Sequence, residues 1–432
     1  MGALVRRLLG LAWPVVLARL GIMGMGVVDV MVVGQLVPDQ LPYQALGWAP
    51  IGVLMVTGIG LLTGVQVLAA RAMGEGVPER AGGAWRRGLV VSGLAGALGV
   101  ACVWLLGARI FTAFGIVPEL AVPASRVAKV LVLSVPLHLF YVTTAFFLES
   151  IQRPLASTVA MWAANAANLA LNLALVPKFG AVGSAWSTVG ARFCMSFGLM
   201  VWVWFLRDGE RFGVRRRATE PSFRALLVVG AAAALSHAAE SGAFSGMTLL
   251  AGRLGADAVA GYQILLNVLA VVFMVSLGVA SATTVLTSQA VGSGAPSDAT
   301  RASFTGLAVN ALFMLVAGSL AFAFSQLIGR AYTANLSLAA SVSSVMWLAA
   351  IIMLPDGGQV VVAAALRARG DNWFPTASHL TAYAVVMPAL AIWLAELCKL
   401  GVTGLLLAIL WASVLSCGVL CWRLWRFSTK PS

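Results

Sequence analysis

Long apolar runs separated by short polar turns make up nearly the whole chain, and their length predicts the secondary structure. A membrane-spanning helix needs about 20 apolar residues, and these runs lack the alternation of polar and apolar positions that is typical of membrane strands. The pattern therefore predicts an all-α integral membrane protein with twelve transmembrane helices. The predicted spans are residues 8–36, 45–70, 88–107, 127–148, 155–176, 182–206, 225–252, 259–290, 302–325, 338–366, 373–395 and 401–422.

One polar stretch is much longer than the other turns and separates two groups of six spans. It runs through residues 207–224 and contains six of the arginines. We interpret residues 1–206 as an N-terminal lobe, residues 207–224 as a cytoplasmic linker and residues 225–432 as a C-terminal lobe.

Two short patterns recur in both lobes and predict an internal repeat. Residues 43–46 resemble residues 262–265 at an offset of 219, and residues 72–78 resemble residues 290–296 at an offset of 218. Glycine-rich turns are common between membrane helices, but the near-equal offsets favour a true repeat. Because each lobe has an even number of spans, the two copies share one orientation, as in parallel repeats that enclose a cleft.

The distribution of Lys and Arg predicts the orientation in the membrane. With the N-terminus inside, 19 of the 28 basic residues lie on the inner side and 7 on the outer side, while Arg19 and Arg192 lie within spans. Such a bias is typical of cytoplasmic loops. Both termini are therefore predicted to be cytoplasmic.

Composition agrees with this pattern and excludes several functional classes. The chain is 60% hydrophobic and 10% charged, against roughly 25% charged residues in soluble domains. The net charge of +13 comes from short loops, so we expect no nucleic-acid partner. We find no P-loop and no hydrolase or metalloprotease motif, and the five cysteines lack metal-ligand spacing. We therefore expect neither an enzyme nor a cofactor.

The seventh predicted span contains a single charged residue, Glu240. A carboxylate at the middle of a membrane helix costs roughly 2.5–3.5 kcal/mol on insertion scales, and it normally faces a partner or a water-filled cavity. His237 lies one turn earlier on the same face. Glu240 is therefore a candidate functional group, and a hydrogen bond to a neighbouring helix is the alternative.

Two other carboxylates lie within predicted spans, Asp29 in the first and Asp356 in the tenth. Asp356 is flanked by Pro355 and two glycines, which predict a loosened helix with free carbonyl groups. Broken helices beside carboxylates hold coupling cations in several transporters. Gln359 follows on the same face. Structural hydrogen bonds between helices are the alternative for either acid.

Amide side chains form two polar stripes at helical spacing. Asn165, Asn168 and Asn172 lie on one face of the fifth span, and Gln263 and Asn267 lie on one face of the eighth. Such stripes either line a cavity or join helices.

Arg19 places a cation inside the first predicted span, ten residues before Asp29. That spacing corresponds to about 15 Å along a helix, which is too far for direct pairing. Arg19 therefore either pairs with a carboxylate across the cleft or extends to the membrane surface.

The ordered set of motifs resembles the multidrug and toxic compound extrusion (MATE) transporters, of the bacterial NorM-like kind, over nearly the whole chain. Four segments carry the resemblance: LAWPVVLARLGIMGMGVVDVMVVGQL, AARAMGEGVPERAGGAWRRGL, SHAAESGAFSGMTLLAGRLGADAVAGYQILLNV and LPDGGQVVVAAALRARGDNWFP. The resemblance implies twelve helices in two lobes around a central cavity. It also implies alternating access driven by a gradient of Na⁺ or H⁺.

By motif match, Glu240 and Asp356 fall on acids associated with cation coupling in the C-terminal lobe, where Na⁺ would bind. Asp29 falls on the acid of the N-terminal lobe, with Asn168 and Asn172 as its polar partners. Some members of the family carry an aspartate where this chain has Asn172, and Arg19 also departs from the expected residue.

The resemblance implies export of hydrophobic, mostly cationic small molecules across the bacterial inner membrane. The candidate cavity residues are His237, Gln263, Asn267, Gln359 and Arg19. We expect contacts with membrane lipids and function as a monomer. The alternatives are a flippase for lipids or lipid-linked precursors, an intramembrane enzyme and a structural scaffold.

Overall fold

A computed structural model describes residues 2–113, 116–215, 222–333 and 335–429, and these residues form helices without a β-strand. The basic residues Arg216, Arg217 and Lys430 lie outside the described residues. The α-helices are α1 (Gly2–Leu36), α2 (Leu41–Gly74), α3 (Glu79–Leu106), α4 (Arg109–Ala113), α5 (Pro118–Leu131), α6 (Ser134–Ser150), α7 (Leu155–Trp204), α8 (Phe223–Arg253), α9 (Ala256–Gly292), α10 (Pro296–Ala323), α11 (Ser325–Tyr332), α12 (Leu336–Ala368), α13 (Trp373–His379), α14 (Met387–Ala391) and α15 (Gly401–Thr429). A 3₁₀ turn, Pro38–Gln40, and two π-helical segments, Leu380–Val386 and Ile392–Leu397, complete the helical structure of the described residues.

Eleven helical stretches of the described residues are long and apolar enough to cross a bilayer. One of them is α7, whose 50 residues would extend about 75 Å, more than twice the thickness of the bilayer core. This helix is interrupted at Gly180, where the backbone is not helical, with φ 60° and ψ −142°. It therefore contains two predicted spans, and the all-α membrane fold predicted from the sequence is confirmed.

The interruption of α7 is fixed by the loop that follows α1. The Ala181 N–H, which begins the second half of α7, donates a hydrogen bond of 2.8 Å to Gln40 Oε1. A Cβ atom at position 180 would collide with the same Gln40 side chain. Only glycine satisfies both the backbone angles and the close approach.

Contacts divide the chain into two compact units, and one of them is Leu17–Ala234. The first third of α8 belongs to this unit because it packs closely on α2 through glycines. A Cβ at Gly64 would collide with the Leu226 carbonyl oxygen, and a Cβ at Gly230 would collide with that of Leu61.

The second unit consists of Met1–Val16 and Leu235–Ser432. The beginning of α1 belongs to it because a glycine of α9 allows a close approach. A Cβ at Gly278 would collide with the Val16 side chain and would lie 3.1 Å from the Ala12 carbonyl oxygen. The predicted lobes, which are divided at the polar stretch, remain a prediction about the functional halves.

The internal repeat is visible in the conformation of the turns that follow α2 and α9. Gly76 and Gly294, which are equivalent positions of the repeated glycine-rich pattern, both have positive φ, +75° and +68°. In each turn the residue after the glycine donates its N–H to the carbonyl four residues before the glycine, at 3.2 and 3.0 Å. The sequence similarity therefore corresponds to the same local structure.

The ends of α6 and α12 repeat in the same register. Gln152 and Gly370 are separated by the same offset as Gly76 and Gly294, and they have φ +62° and +95°. The following residue in each case donates its N–H to the carbonyl four residues before the positive-φ position, at 2.7 and 3.0 Å. Each position of α6 therefore has an equivalent position in α12 at this constant offset.

The described part of the predicted linker packs against the same unit as its preceding helix. Arg153 forms two hydrogen bonds with the Asp208 carboxylate, at 2.9 and 2.6 Å, and the Phe212 carbonyl accepts a hydrogen bond of 2.8 Å from the Gly82 N–H. Burial alone would raise the pKa of Asp208, but the hydrogen bond and charge of Arg153 hold this pKa below its usual value.

Candidate functional site

Asp29 is fully buried in the unit Leu17–Ala234 and accepts hydrogen bonds from three side chains. Asn168 Nδ2 and Asn172 Nδ2 donate to Asp29 Oδ1 at 3.0 and 2.8 Å. Thr188 Oγ1 donates to Asp29 Oδ2 at 2.6 Å. The structure thus brings together the three residues that the sequence singled out and adds Thr188, which the sequence analysis missed.

The two halves of α7 place these donors on either side of the carboxylate. Asn168 and Asn172 lie one turn apart on the first half, while Thr188 lies on the second half beyond the break at Gly180. Asn165, on the same stripe, donates instead to the Gly21 carbonyl at 3.0 Å. Part of the stripe therefore joins helices, and part of it binds Asp29.

Arg192 is a buried cation one turn beyond Thr188 on α7. Its Nη1 donates to Ser134 Oγ at 2.8 Å and contacts Met55 Sδ at 3.3 Å, and the guanidinium lies 5.3 Å from the centroid of Trp48. It interacts electrostatically with Asp29. The sequence places Arg192 in a span, but gives no indication of this neighbourhood.

The second unit contains a pair of buried carboxylates, Glu240 on α8 and Asp356 on α12. Gln359 Nε2 donates to Glu240 Oε1 at 3.2 Å. Asp356 Oδ1 accepts from Ser413 Oγ at 3.1 Å and from the Tyr383 hydroxyl at 3.3 Å. The two carboxylates interact electrostatically, which is the arrangement that favours binding of a cation or a shared proton.

The sequence predicts a loosened helix with free carbonyl groups around Pro355, and the structure shows no break in the helix at this residue. The α-helix α12 continues through Pro355 to Ala368. The glycine after Asp356 serves close packing instead, since a Cβ at Gly357 would collide with Ser276 Oγ and lie 3.0 Å from Asn310 Nδ2. Asp356 accepts hydrogen bonds from side-chain hydroxyls, and because Pro355 has no N–H, the Ile351 carbonyl lacks its usual helical donor.

Arg367 is a buried cation in the last turn of α12, although the sequence analysis counted it among the loop residues. Its Nη2 donates to Ser236 Oγ at 2.7 Å, and its charge interacts with Glu240. This side chain lies within one turn of the predicted boundary at residue 366, where sequence cannot separate a helix end from a loop.

The remaining candidate cavity residues occupy varied surroundings. His237 is half-buried, whereas Gln263 and Asn267 are exposed on α9. Arg19 is half-buried, and its guanidinium lies 5.6 Å from the centroid of Phe146. No carboxylate described in its own unit forms an ion pair with Arg19.

The donor atoms at the two carboxylates suit a hard cation better than a soft transition metal. The described residues contain no group of three or more His, Cys, Asp or Glu side chains that could hold a metal ion. Around Asp356 the polar atoms are the hydroxyl oxygens of Tyr383 and Ser413, and oxygen ligands of this kind suit hard cations.

An all-helical membrane protein with two repeated halves and buried carboxylates has the architecture of an ion-coupled transporter. A sequence profile of the MatE family matches residues 14–174 and again residues 232–393, so the two matches are spaced as the internal repeat is. The chain belongs to the MatE family, which is a family of transporters and not of enzymes.

Relatives match over most of their length. The chain is 41% identical over 427 residues to a probable multidrug resistance protein NorM of Caulobacter vibrioides, covering 96% of this chain and 90% of that protein. It is 30% identical over 390 residues to the multidrug resistance protein PmpM of Pseudomonas aeruginosa, covering 88% and 81%. A solved MOP superfamily transporter from Pyrococcus furiosus has the same fold, with a TM-score of 0.88 at 18% identity over 98% of this chain and 96% of that one.

Proposed function

We propose that this protein is a secondary active antiporter that exports hydrophobic, mostly cationic small molecules in exchange for Na⁺ or H⁺. Membership of the MatE family and relatives named multidrug resistance proteins support this function. The observation that carries the proposal is the pair of interacting, buried carboxylates Glu240 and Asp356.

The proposed mechanism is competition for this negative charge. Buried carboxylates are costly unless they are neutralised, and either a coupling cation or a cationic substrate can neutralise them. Binding of Na⁺ or H⁺ from outside would favour substrate release, and binding of substrate from inside would displace the ion. The ligand binds one of two alternating conformations more tightly, so it shifts the equilibrium between them.

The other predicted residues have defined parts in this proposal. Gln359 orients Glu240, and Tyr383 and Ser413 orient Asp356, through the hydrogen bonds described above. Asp29 with Asn168 and Asn172 is the second candidate ion site. His237, Gln263, Asn267 and Arg19 are candidate cavity residues that contact the substrate.

The basic residues support an orientation with both termini in the cytoplasm, and the bacterial relatives support the inner membrane as its location. We further propose that one chain is sufficient for transport and that lipids surround the helices.

Transport by purified protein in liposomes tests this function. Ethidium efflux is measured under an imposed Na⁺ gradient and, separately, under an imposed pH gradient. We expect wild-type protein to respond to at least one of them, and Glu240→Gln and Asp356→Asn to fall to the level of protein-free liposomes. Each substitution removes a charge and keeps nearly the same volume.

Exposed acids provide matched controls for these two variants. Glu119→Gln and Asp298→Asn neutralise side chains that are exposed at helix beginnings, and both are expected to transport at the wild-type rate. Wild-type rates in Glu240→Gln and Asp356→Asn would refute the assignment of these residues. Gradient-independent scrambling of labelled phospholipids, without ethidium transport, would instead identify a lipid flippase.

A further inference from the structure

The repeat assigns a structural counterpart to each charged residue of α12. Because α6 and α12 end in the same register, Asp356 corresponds to His138, and Arg367 corresponds to Glu149. Both helices are continuous between these two positions, so the correspondence holds along the whole stretch. The two units thus differ in charge at both equivalent positions: an imidazole replaces the Asp356 carboxylate, and a carboxylate replaces the Arg367 guanidinium.

His138 cannot replace Asp356 as a ligand for a cation. The side chain is buried, and neither ring nitrogen has a hydrogen-bond partner among the described residues. The charges that act on it are those of Arg192 and Arg19, and both are positive. A buried imidazole between cations offers no negative charge and no oxygen atom to Na⁺.

The geometry of α7 places Arg192 one helical turn from Thr188, the residue that binds Asp29. Thr188, which donates to Asp29 Oδ2 at 2.6 Å, and Arg192 are four residues apart, so they are neighbours on one face of the helix. The contacts of Arg192 with Ser134, Met55 and Trp48 are all with uncharged groups. Asp29 is the carboxylate whose charge acts on this guanidinium.

The buried charges at the two candidate ion sites therefore sum differently. At the site in Leu17–Ala234, one buried carboxylate, Asp29, is matched by one buried cation, Arg192. In the other unit, the carboxylates Glu240 and Asp356 face the buried cation Arg367, whose charge acts on Glu240. One negative charge remains at this pair.

We propose that Arg192 is a fixed counter-charge for Asp29, which removes Asp29 as the second candidate ion site, and that the unit Leu17–Ala234 binds no coupling cation. The protein then has one site for a single monovalent cation, at Glu240 and Asp356. Arg192 itself is held by Ser134, Met55 and Trp48, while Asp29 joins the two halves of α7 through its asparagine and threonine partners. This inference rests on the proposed antiport function and specifies its stoichiometry.

The stoichiometry has a measurable electrical consequence. Exchange of one Na⁺ or H⁺ for one monovalent organic cation moves no net charge, so a membrane potential would not affect it. Exchange of two cations for one moves one net charge. Each such charge changes the accumulation ratio by about 50-fold per 100 mV.

The experiment measures steady-state ethidium accumulation in proteoliposomes at a fixed ion gradient, with the potential set by K⁺ and valinomycin at zero or about 100 mV, the scale on which one charge is resolved. Protein-free liposomes correct for leakage. For wild-type protein we expect a ratio that does not change with potential. If applying the potential changes the ethidium accumulation ratio of wild-type protein by about 50-fold, the proposal is overturned.

Two independent variants should create a second cation site, in Leu17–Ala234. Arg192→Gln removes the counter-charge of Asp29, and His138→Asp adds an acid at the position that corresponds to Asp356. Either change leaves one unbalanced negative charge in Leu17–Ala234, so we expect the ratio to become dependent on potential. Arg192→Lys and His138→Asn are the matched controls, which preserve the charge balance and should remain independent of potential.

Several outcomes separate this inference from the proposed function. Wild-type protein that exchanges no ethidium refutes the proposed function and this inference together. Active wild-type protein with a potential-dependent ratio refutes this inference alone, as do active Arg192→Gln and His138→Asp variants whose ratio stays constant. If Arg192→Gln fails to fold by size-exclusion chromatography, His138→Asp decides, because it leaves Arg192 and Asp29 in place.

Discussion

Thr188 shows how much a single hydroxyl group contributes to a buried carboxylate. It donates the shortest of the three hydrogen bonds to Asp29, at 2.6 Å, from the half of α7 that lies beyond the Gly180 break. The two asparagines approach from the other half. The carboxylate thus joins two helical segments that the chain itself separates.

We predict that Thr188→Val lowers the free energy of unfolding by roughly 1.5–3 kcal/mol, the usual contribution of a hydrogen bond to a charged group. Thermal unfolding in detergent, followed by circular dichroism, measures the change. Thr188→Ser keeps the hydroxyl and should unfold near the wild-type temperature. Equal stability of the valine and serine variants would contradict a role for this hydrogen bond.

Among individual side chains, charges and amides are easier to recognise in the sequence than hydroxyls. Asn168 and Asn172 stand out because amides at helical spacing are uncommon in apolar segments. Thr188 does not stand out, since threonines occur throughout membrane helices and satisfy themselves on their own backbone. Arg367 was assigned to a loop because hydropathy cannot locate the end of a helix to within one turn.

Among the helices, α7 depends on one backbone position. Gly180 combines a positive φ with close contact to Gln40, and its neighbour Ala181 donates its N–H to that same side chain. Gly198, on the same helix, has helical angles and no atom within 4 Å of a built Cβ.

We predict opposite effects of alanine at these two glycines. Gly180→Ala should destabilise the protein by about 1–3 kcal/mol, because the backbone region is nearly restricted to glycine. Gly198→Ala should be neutral or stabilising by about 0.5–1 kcal/mol, since alanine favours a helix. Thermal unfolding of both variants measures the contrast, and a stable Gly180→Ala would show that the break relaxes.

Sequence patterns located the helices well and their irregularities poorly. The break in α7 was placed correctly between two predicted spans, since a 50-residue helix is too long for one crossing. The loosening expected at Pro355 does not break α12, which stays α-helical through this residue and packs closely on Ser276 at Gly357. A proline removes one backbone hydrogen bond from a helix, and contacts with neighbouring helices determine whether the helix unwinds there.

For the whole molecule, the predicted orientation can be tested with a native cysteine. Cys398 is exposed and lies in the loop between the last two predicted spans, on the predicted outer side. Ser293, exposed in the turn after α9, lies on the predicted inner side. A thiol must reach water to react as the thiolate.

We predict that a membrane-impermeant maleimide labels Cys398 in intact cells and that Cys398→Ser abolishes this labelling. In the Cys398→Ser background, Ser293→Cys should react only after the membrane is permeabilised. Labelling of the position 293 thiol in intact cells, without labelling of Cys398 in wild-type protein, would reverse the orientation.

The internal repeat was predictable at this scale because turn residues are constrained by backbone geometry, which survives divergence of the apolar helices. Its functional asymmetry was predictable in part, because the offset of 218 places apolar Ile22 opposite Glu240. The structure adds that α6 and α12 keep this register, so that Asp356 corresponds to His138. Gln263 and Asn267 were grouped with the cavity, yet their exposure alone does not connect them to the carboxylates.

The matching turns at Gln152 and Gly370 show that α6 and α12 share one register. A side chain present in one of these helices therefore indicates what the equivalent position of the other can accept. The two copies of a repeat have different side chains at equivalent positions. A constant register allows these side chains to be exchanged between the copies. Grafting α6 side chains onto the equivalent positions of α12, or the reverse, would therefore sample substitutions that have already been accepted in an equivalent place. The side chains of each helix are therefore a set of candidate substitutions for changing the ion or substrate specificity through the other.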